Sequence, residues 1–352
     1  MADGVRKDEE FSGTQPVEER HRFDEMSLDN WMRGHVEDYQ GPLVVLQFKG
    51  GQSNPTYRLD TPGRSYVMRR KPFGKLLPSA HAVDREFRVI AALGKQGFPV
   101  AKAYALCTDD SVIGAAFYIM SMEEGRVFWD PTLPSQTAED RRKIFESKIE
   151  TLAKLHLFDP QALGLGDFGK PGNYFARQVD RWTKQYRASE TQHIPEFEKV
   201  AEWLPRTLPK QERVSIVHGD YRLDNMIFHA TEPRVQAVLD WELSTLGDPM
   251  ADFTYLLMQW TMPGLDGVDL KALNIPAVDE AARIYCSITR TAVPDLNWYF
   301  AYNLFRLAGI TQGIAGRIRD GTAANAKAIE SAKRTVPLSK ASWEYAQKAG
   351  AV

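Results

Sequence analysis

The chain has 352 residues, 43% of them hydrophobic and 26% charged, enough to bury a large core and to form roughly two lobes. Its formal net charge of -2 offers no basic field for nucleic acid, and its two cysteines, Cys107 and Cys286, show neither metal-type spacing nor a disulfide framework. No run approaches about eighteen apolar residues and the N-terminus lacks the apolar stretch of a signal peptide, so no membrane partner is expected and a cytoplasmic setting is.

Residues 1–25 are charged and poor in aliphatic side chains, which predicts a mobile segment. Ser27 is placed to cap a short helix carrying Leu28, Trp31 and Met32 on one face. A strand-like run, Pro42 to Phe48, breaks at Lys49 to Pro55 and resumes at Thr56 to Leu59; a Pro62-Gly63 turn signal then leads into Ser65 to Arg69. Val83, Phe87, Ile90 and Ala91 give Ser79 to Leu93 a helical period, and strand-like runs follow near 100–105 and 114–122. Residues 26–122 therefore read as a small lobe, a sheet plus one helix. Beyond a boundary near 122–125 helical patterns prevail, at 138–156, 174–189, 196–204, 250–261, 277–290, 296–317 and 324–348. Two short strands, near 214–217 and 235–239, interrupt them. Residues 123–352 are expected to form a larger, mainly helical lobe, and the fold class is α+β.

The two short strands carry the chemistry. VSIVHGDYRLDNMIFH sets Asp220 and Asn225 five positions apart, the spacing of the Asp and Asn in a kinase catalytic loop, and VQAVLDWE leads into Asp240. A carboxylate in reach of a hydroxyl accepts its proton during attack on phosphorus, which makes Asp220 the candidate catalytic base. Mg2+ takes hard oxygen donors, and Asn225 and Asp240 supply an amide oxygen and a carboxylate. His218 is read as orienting the loop, and with Arg222 it completes the candidate catalytic set.

Upstream, Gly50, Gly51, Ser53 and Asn54 form a candidate phosphate loop between two strands, since glycine lets backbone N–H groups approach an anion. Arg69 ends the next strand where kinases place a phosphate-binding lysine. Glu86, on the following helix, is placed to pair with it, and Arg70 and Lys71 leave the register open. Met120 and Met122 fall where a hinge between lobes would offer backbone groups to adenine. No GxxxxGK[ST] occurs, which excludes a P-loop NTPase. Asp248 and Asp252 are assigned structural work, Asp252 as a brace for the catalytic loop. Phe253, Leu256, Leu257 and Trp260 are assigned to the core, and His156 to packing within a helix.

VHGDYRLDNMIF with VLDWELSTLGDPMADF resembles the aminoglycoside phosphotransferase and choline kinase-like family, with the motifs in order from about residue 40 to 320. GGQSNPTY, RRKPFGKLLPSAHAVDREF and GIAGRIRDGTA are similar to one branch, the kinase-like domain associated with acyl-CoA dehydrogenases. The resemblance implies a bilobal protein kinase-like fold, ATP and Mg2+, with Asp220 as base and Asn225 and Asp240 as metal ligands. No flavin dehydrogenase module fits beside the two lobes, so dehydrogenase activity is not expected.

Only seven residues separate Asp240 from Asp248, little room for a protein kinase activation segment, and Trp241-Glu242 replaces the Phe-Gly of that switch. Both favour a small-molecule acceptor. Residues 261–352 hold eleven Lys/Arg and eight Asp/Glu, a balance of +3 that suits an anionic hydroxyl substrate better than a polycation. A hydroxyacyl-CoA or hydroxy acid fits that charge, with Arg306, Arg317 and Arg319 as candidate contacts. The alternatives are an aminoglycoside or choline-type phosphotransferase and a non-catalytic nucleotide-binding pseudokinase.

Overall fold

A computed structural model describes residues 13–49, 54–74, 81–261, 265, 267–322 and 326–352. Its first part is a six-stranded antiparallel sheet built from β1 (Thr14–Gln15), β2 (Val44–Phe48), β3 (Thr56–Asp60), β4 (Ser65–Arg70), β5 (Ala103–Cys107) and β6 (Phe117–Ser121), in the order β1-β2-β3-β4-β6-β5. Alternation decides its faces: Tyr57 and Leu59 of β3 are buried toward α1 (Glu25–His35), which contributes Leu28 and Met32 to the same core. The N-cap of α1 is Asp24, not Ser27. The Asp24 carboxylate accepts the N–H groups of Met26 and Ser27, and the Ser27 hydroxyl donates to it as well.

From Gly13 onward, the segment expected to be mobile is tied down. Thr14 and Gln15 pair with Phe48 and Gln47, Glu18 N–H donates to Gln47 Oε1 at 3.1 Å, and Val17 and Phe23 pack on the core under the sheet. Helix α2 (Val83–Gly94) lies on the other side, with Val83, Val89, Ile90 and Leu93 buried and Phe87 only partly so. Glu86 is buried in the same face. A carboxylate among apolar neighbours needs partners, and these define one wall of the site below.

The last strand of the sheet ends at Ser121, and the remainder is mainly helical: α3 (Ala138–Leu157), α4 (Tyr174–Ala188), α5 (Pro195–Trp203), α6 (Met250–Leu257), α7 (Val278–Thr289), α8 (Leu296–Arg319), α9 (Ala326–Lys333) and α10 (Thr335–Lys348). The single helix expected over 324–348 is two, because Pro337 has no N–H to give the carbonyl of Lys333, where α9 stops. Two strands escaped the sequence reading. β8 (Met226–Phe228) pairs with β9 (Val235–Val238), and β10 (Thr245–Gly247) pairs with β7 (Ser215–Val217). Three residues each are too few for a period to show, yet the two strand pairs hold the motif residues at their ends. The fold class is the expected α+β arrangement in two lobes.

One core residue of α3 carries a stability prediction. Lys148 is fully buried, with Nζ 2.5 Å from Gln259 Oε1 and 4.0 Å from the centroid of the Phe145 ring. Burial pushes its amine down to about 7 from an ordinary value of 10.5. The unfolded chain therefore binds more protons between about pH 7 and 10.5, and folding stability should rise with pH across that window. Lys148→Met should remove this slope and stabilise the protein at pH 7 by on the order of 2 kcal/mol, read by denaturant unfolding at several pH values.

Candidate active site

The loop between β7 and β8 is held by hydrogen bonds from three directions. Gly219 sits at φ +89, and a Cβ there would meet the Leu243 carbonyl oxygen at 2.8 Å, so only glycine fits the turn. Asp252, near the start of α6, accepts the N–H of His218 at 2.5 Å and of Gly219 at 2.8 Å; His156 Nε2 faces the same carboxylate at 3.4 Å. This is the brace expected of Asp252, and His156 turns out to be part of it. The fully buried His218 ring has both nitrogens occupied, Nε2 against the Leu239 carbonyl at 2.8 Å and Nδ1 accepting the Asp220 N–H at 3.2 Å. That arrangement ties the ring into the loop with both nitrogens engaged.

Asp220 therefore projects with its carboxylate oriented. Oδ2 accepts Asn225 Nδ2 at 3.0 Å and faces Arg222 Nε at 3.3 Å, and Oδ1 accepts the Tyr255 hydroxyl at 3.0 Å. Asn225 Nδ2 also donates to the Asp220 carbonyl at 2.9 Å, which commits the amide nitrogen and turns its oxygen outward. Arg222 is half-exposed and shared with Asp224, at 3.0 Å. Asp248 lies just before α6, where its carboxylate accepts Met250 N–H at 2.9 Å, and burial pushes that carboxyl up to about 6.

Asp240 follows β9 in a left-handed conformation, φ 63 and ψ 65, which sends its carboxylate toward the sheet. There it meets Arg69. Arg69 Nη2 lies 2.8 Å from Asp240 Oδ1 and 3.0 Å from Glu242 Oε2, while Nε is 3.0 Å from Glu86 Oε2, a charge contact without hydrogen-bond alignment. The register left open in the sequence is thus decided by geometry. Arg70 points to the opposite face, to Tyr57 and the His21 carbonyl, stacked 3.7 Å from the Phe73 ring centroid. Burial pulls the Arg69 guanidinium down, but Glu86, Tyr118, Asp240 and Glu242 outweigh it and hold it above its ordinary value. Burial pushes the Glu86 carboxyl up to about 7, opposed by Arg69 and by the Tyr118 hydroxyl, which donates to it at 3.1 Å.

Asn54 is not an exposed phosphate contact. It is fully buried, its Nδ2 donating to Glu86 Oε1 at 2.8 Å and its Oδ1 facing His81 Nδ1 at 2.8 Å, so it braces the Arg69–Glu86 pair. Gly50, Gly51 and Ser53 lie outside the described residues.

Between the sheet and β8–β9 runs a cleft of about 710 Å³. Met120 and Met122 line it, and so do Val67, Ile227, Val238 and Trp129, which the sequence reading did not single out. Arg69, Asn225 and Asp240 line the same cleft, so the motif residues from both lobes converge on it. Val67 was legible in principle as the position two before Arg69 in an alternating strand; nothing local marked Ile227 or Trp129. Of the arginines of α8, Arg306 donates from Nη2 to the Gly219 carbonyl at 2.8 Å. Arg317 and Arg319 lie roughly 16 to 20 Å farther along the helix. Arg319 is engaged with Asp320 and the Glu190 carbonyl.

An antiparallel sheet flanked by two helices, a cleft, and an Asp–Asn loop beside a second Asp on the wall opposite the sheet define a protein kinase-like phosphotransferase fold. The chain belongs to the phosphotransferase enzyme family, whose profile it matches over residues 44–283. It is 43% identical over 346 residues to mouse acyl-CoA dehydrogenase family member 10, covering 96% of this chain but 32% of that protein. The chain therefore spans about a third of this relative. A crystal structure from Ralstonia eutropha JMP134, described as a "putative aminoglycoside phosphotransferase", superposes with a TM-score of 0.87 at 51% identity, over 93% of this chain and 99% of that one. A thermostable mutant of aminoglycoside phosphotransferase APH(4)-Ia, solved with AMP-PNP and hygromycin B, superposes with a TM-score of 0.57 at 14% identity, over 91% of this chain and 98% of that one, a likeness of fold alone. Among the described residues no helix is long and apolar enough to cross a membrane.

Proposed function

We propose that this chain is an ATP- and Mg2+-dependent kinase that transfers the γ-phosphoryl group to a hydroxyl of a small metabolite, such as a hydroxyacyl-CoA or a hydroxy acid. The observation that carries the reading is the Asp220 carboxylate, held in one orientation by Asn225 and Tyr255 beside a cleft that Asn225, Asp240 and Arg69 line. Asp220 accepts the acceptor's proton as its oxygen attacks phosphorus. Arg222, charged and half-exposed beside it, neutralises the transferring group. Arg69, positioned by Glu86, binds the nucleotide phosphates, and the apolar part of the cleft at Met120 and Met122 receives the base. The boundary between the lobes falls at about residue 122.

The donor set fits Mg2+: Asn225 has its amide oxygen left over and Asp240 offers a carboxylate, all-oxygen ligands that leave room for water and phosphate. When bound, the ion would offset negative charge on the phosphates. Arg222 and Arg306 near Asp220 disfavour a polycationic aminoglycoside as acceptor and suit an anion. Buried free Cys107 and Cys286 suit a reducing cytoplasm. One contact favours the rival reading of a non-catalytic scaffold: the Arg69 guanidinium sits on Asp240, where a metal would have to displace it.

Thermal shift separates the two. Mg-AMP-PNP at about a hundred times its Kd should stabilise the wild type by about 2.7 kcal/mol, a rise of a few degrees in Tm. Asp240→Asn should lose most of that rise. A wild type indifferent to Mg-AMP-PNP would sink the kinase reading. Transfer of labelled phosphate from ATP to a panel of aminoglycosides, choline, hydroxy acids and hydroxyacyl-CoAs then identifies the acceptor.

A further inference from the structure

A base that activates a hydroxyl must present an oxygen to it, and both oxygens of Asp220 already hold a donor. Two of these donors, Asn225 and Arg222, belong to the same loop and are tied into it, Asn225 by the Asp220 carbonyl and Arg222 by Asp224. The third comes from another element. Tyr255 projects from α6, and its hydroxyl stands 3.0 Å from Asp220 Oδ1, the distance and the functional group of a reacting acceptor. Burial, with the Asp220 carboxylate beside it, holds the phenol above its ordinary value, so it keeps its proton and donates.

The ring is held where it is. The Arg306 guanidinium lies 5.1 Å from the Tyr255 ring centroid and is itself bound to the Gly219 carbonyl, while Asp252, one turn earlier on α6, grips the backbone of His218 and Gly219. Ring and loop thus move together, and the hydroxyl stays on Oδ1 unless another group competes for it. The Asp220 side chain is itself 24% exposed, so an acceptor can approach its carboxylate.

We propose that Tyr255 guards Asp220 against water: until an acceptor arrives, its hydroxyl fills the position on Oδ1 that a nucleophile would take, and so suppresses hydrolysis of the bound triphosphate. The role rests on Asp220 being the base. In the reaction it prevents, a water oxygen bonds to the γ-phosphorus, the bond from that phosphorus to the β,γ-bridging oxygen breaks, ADP and phosphate leave, and the water proton passes to Asp220 and on to solvent. Tyr255 is a positioning residue in this scheme: it acts through Asp220 Oδ1 and contacts neither the water nor the phosphorus.

The test needs no acceptor. ADP release from Mg-ATP alone is measured for the wild type, Tyr255→Phe, Asp220→Asn and the double variant. Tyr255→Phe should raise hydrolysis about tenfold, and the double variant should fall back to the level of Asp220→Asn. Hydrolysis by Tyr255→Phe at or below the wild-type rate overturns the guard, as does labelled phosphate found on Tyr255 itself. Tyr255→Leu repeats the comparison should the Phe variant prove unstable. Mg-AMP-PNP thermal shift tells the two failures apart: a shift with unchanged hydrolysis sinks the guard alone, and no shift in the wild type sinks the kinase reading with it.

Discussion

Asp220→Asn should lower phosphoryl transfer at least about a hundredfold and leave nucleotide binding nearly as it was. The substitution keeps the shape of the side chain, and its environment can accept it. The amide oxygen can face Asn225 Nδ2 and Arg222 Nε, and the amide nitrogen can donate to the Tyr255 oxygen, so the loop keeps its ties. What is lost is the ability to take a proton. Turnover should therefore collapse with labelled ATP and whichever acceptor scores in the panel, while the thermal shift with Mg-AMP-PNP persists. Full turnover in this variant would remove Asp220 from the mechanism and return the site to nucleotide binding alone.

The largest loss of stability should come from Asp252→Ala. This carboxylate is 1% exposed and satisfies two backbone N–H groups in a loop that has no other way to bond them, with His156 on its far side. Each N–H left buried and unpaired costs roughly 1–3 kcal/mol, and with His156 Nε2 also losing its partner the total should reach about 3–5 kcal/mol. Burial pushes the Asp252 carboxyl up, but the hydrogen bonds from His156 and the Gly219 N–H outweigh it and leave it below its ordinary value. The unfolded chain then binds the extra proton, so this stabilisation is complete above about pH 4 and fades as pH falls toward the lower folded value. Denaturant unfolding of both proteins at pH 7 and at pH values below 4 should show the gap narrowing. A gap under about 1 kcal/mol at pH 7 would mean the loop is held by something else.

What the sequence revealed follows how local each signal is. Asp220, Asn225 and Asp240 lie within 21 residues and flank short strands, so spacing alone brought them together. The Arg69–Glu86 pair could be anticipated because strand and helix are consecutive. Which of Arg69, Arg70 and Lys71 faces the cleft could not, since alternation leaves two faces equivalent until Tyr57 and Phe73 are seen to take Arg70. Asn54 reads in the sequence as part of a phosphate loop; only the buried carboxylate of Glu86, 32 positions away, explains its inward orientation. Tyr255 lay in a helix read as plain core, and its contact with Asp220 spans 35 positions. The pairing of Thr14 and Gln15 with β2 has no local mark at all, being two residues long.

Arg69 is a single cation on which Glu86, Asp240 and Glu242 all converge. With those carboxylates ionised, the corner carries a surplus of negative charge that one guanidinium does not cancel. A triphosphate arriving unaccompanied would deepen the surplus, and its repulsion would act at short range in a partly desolvated cleft. On the proposed reading the divalent ion would therefore enter without the nucleotide more readily than the nucleotide without the ion, and the bound ion would make room electrostatically for the phosphates.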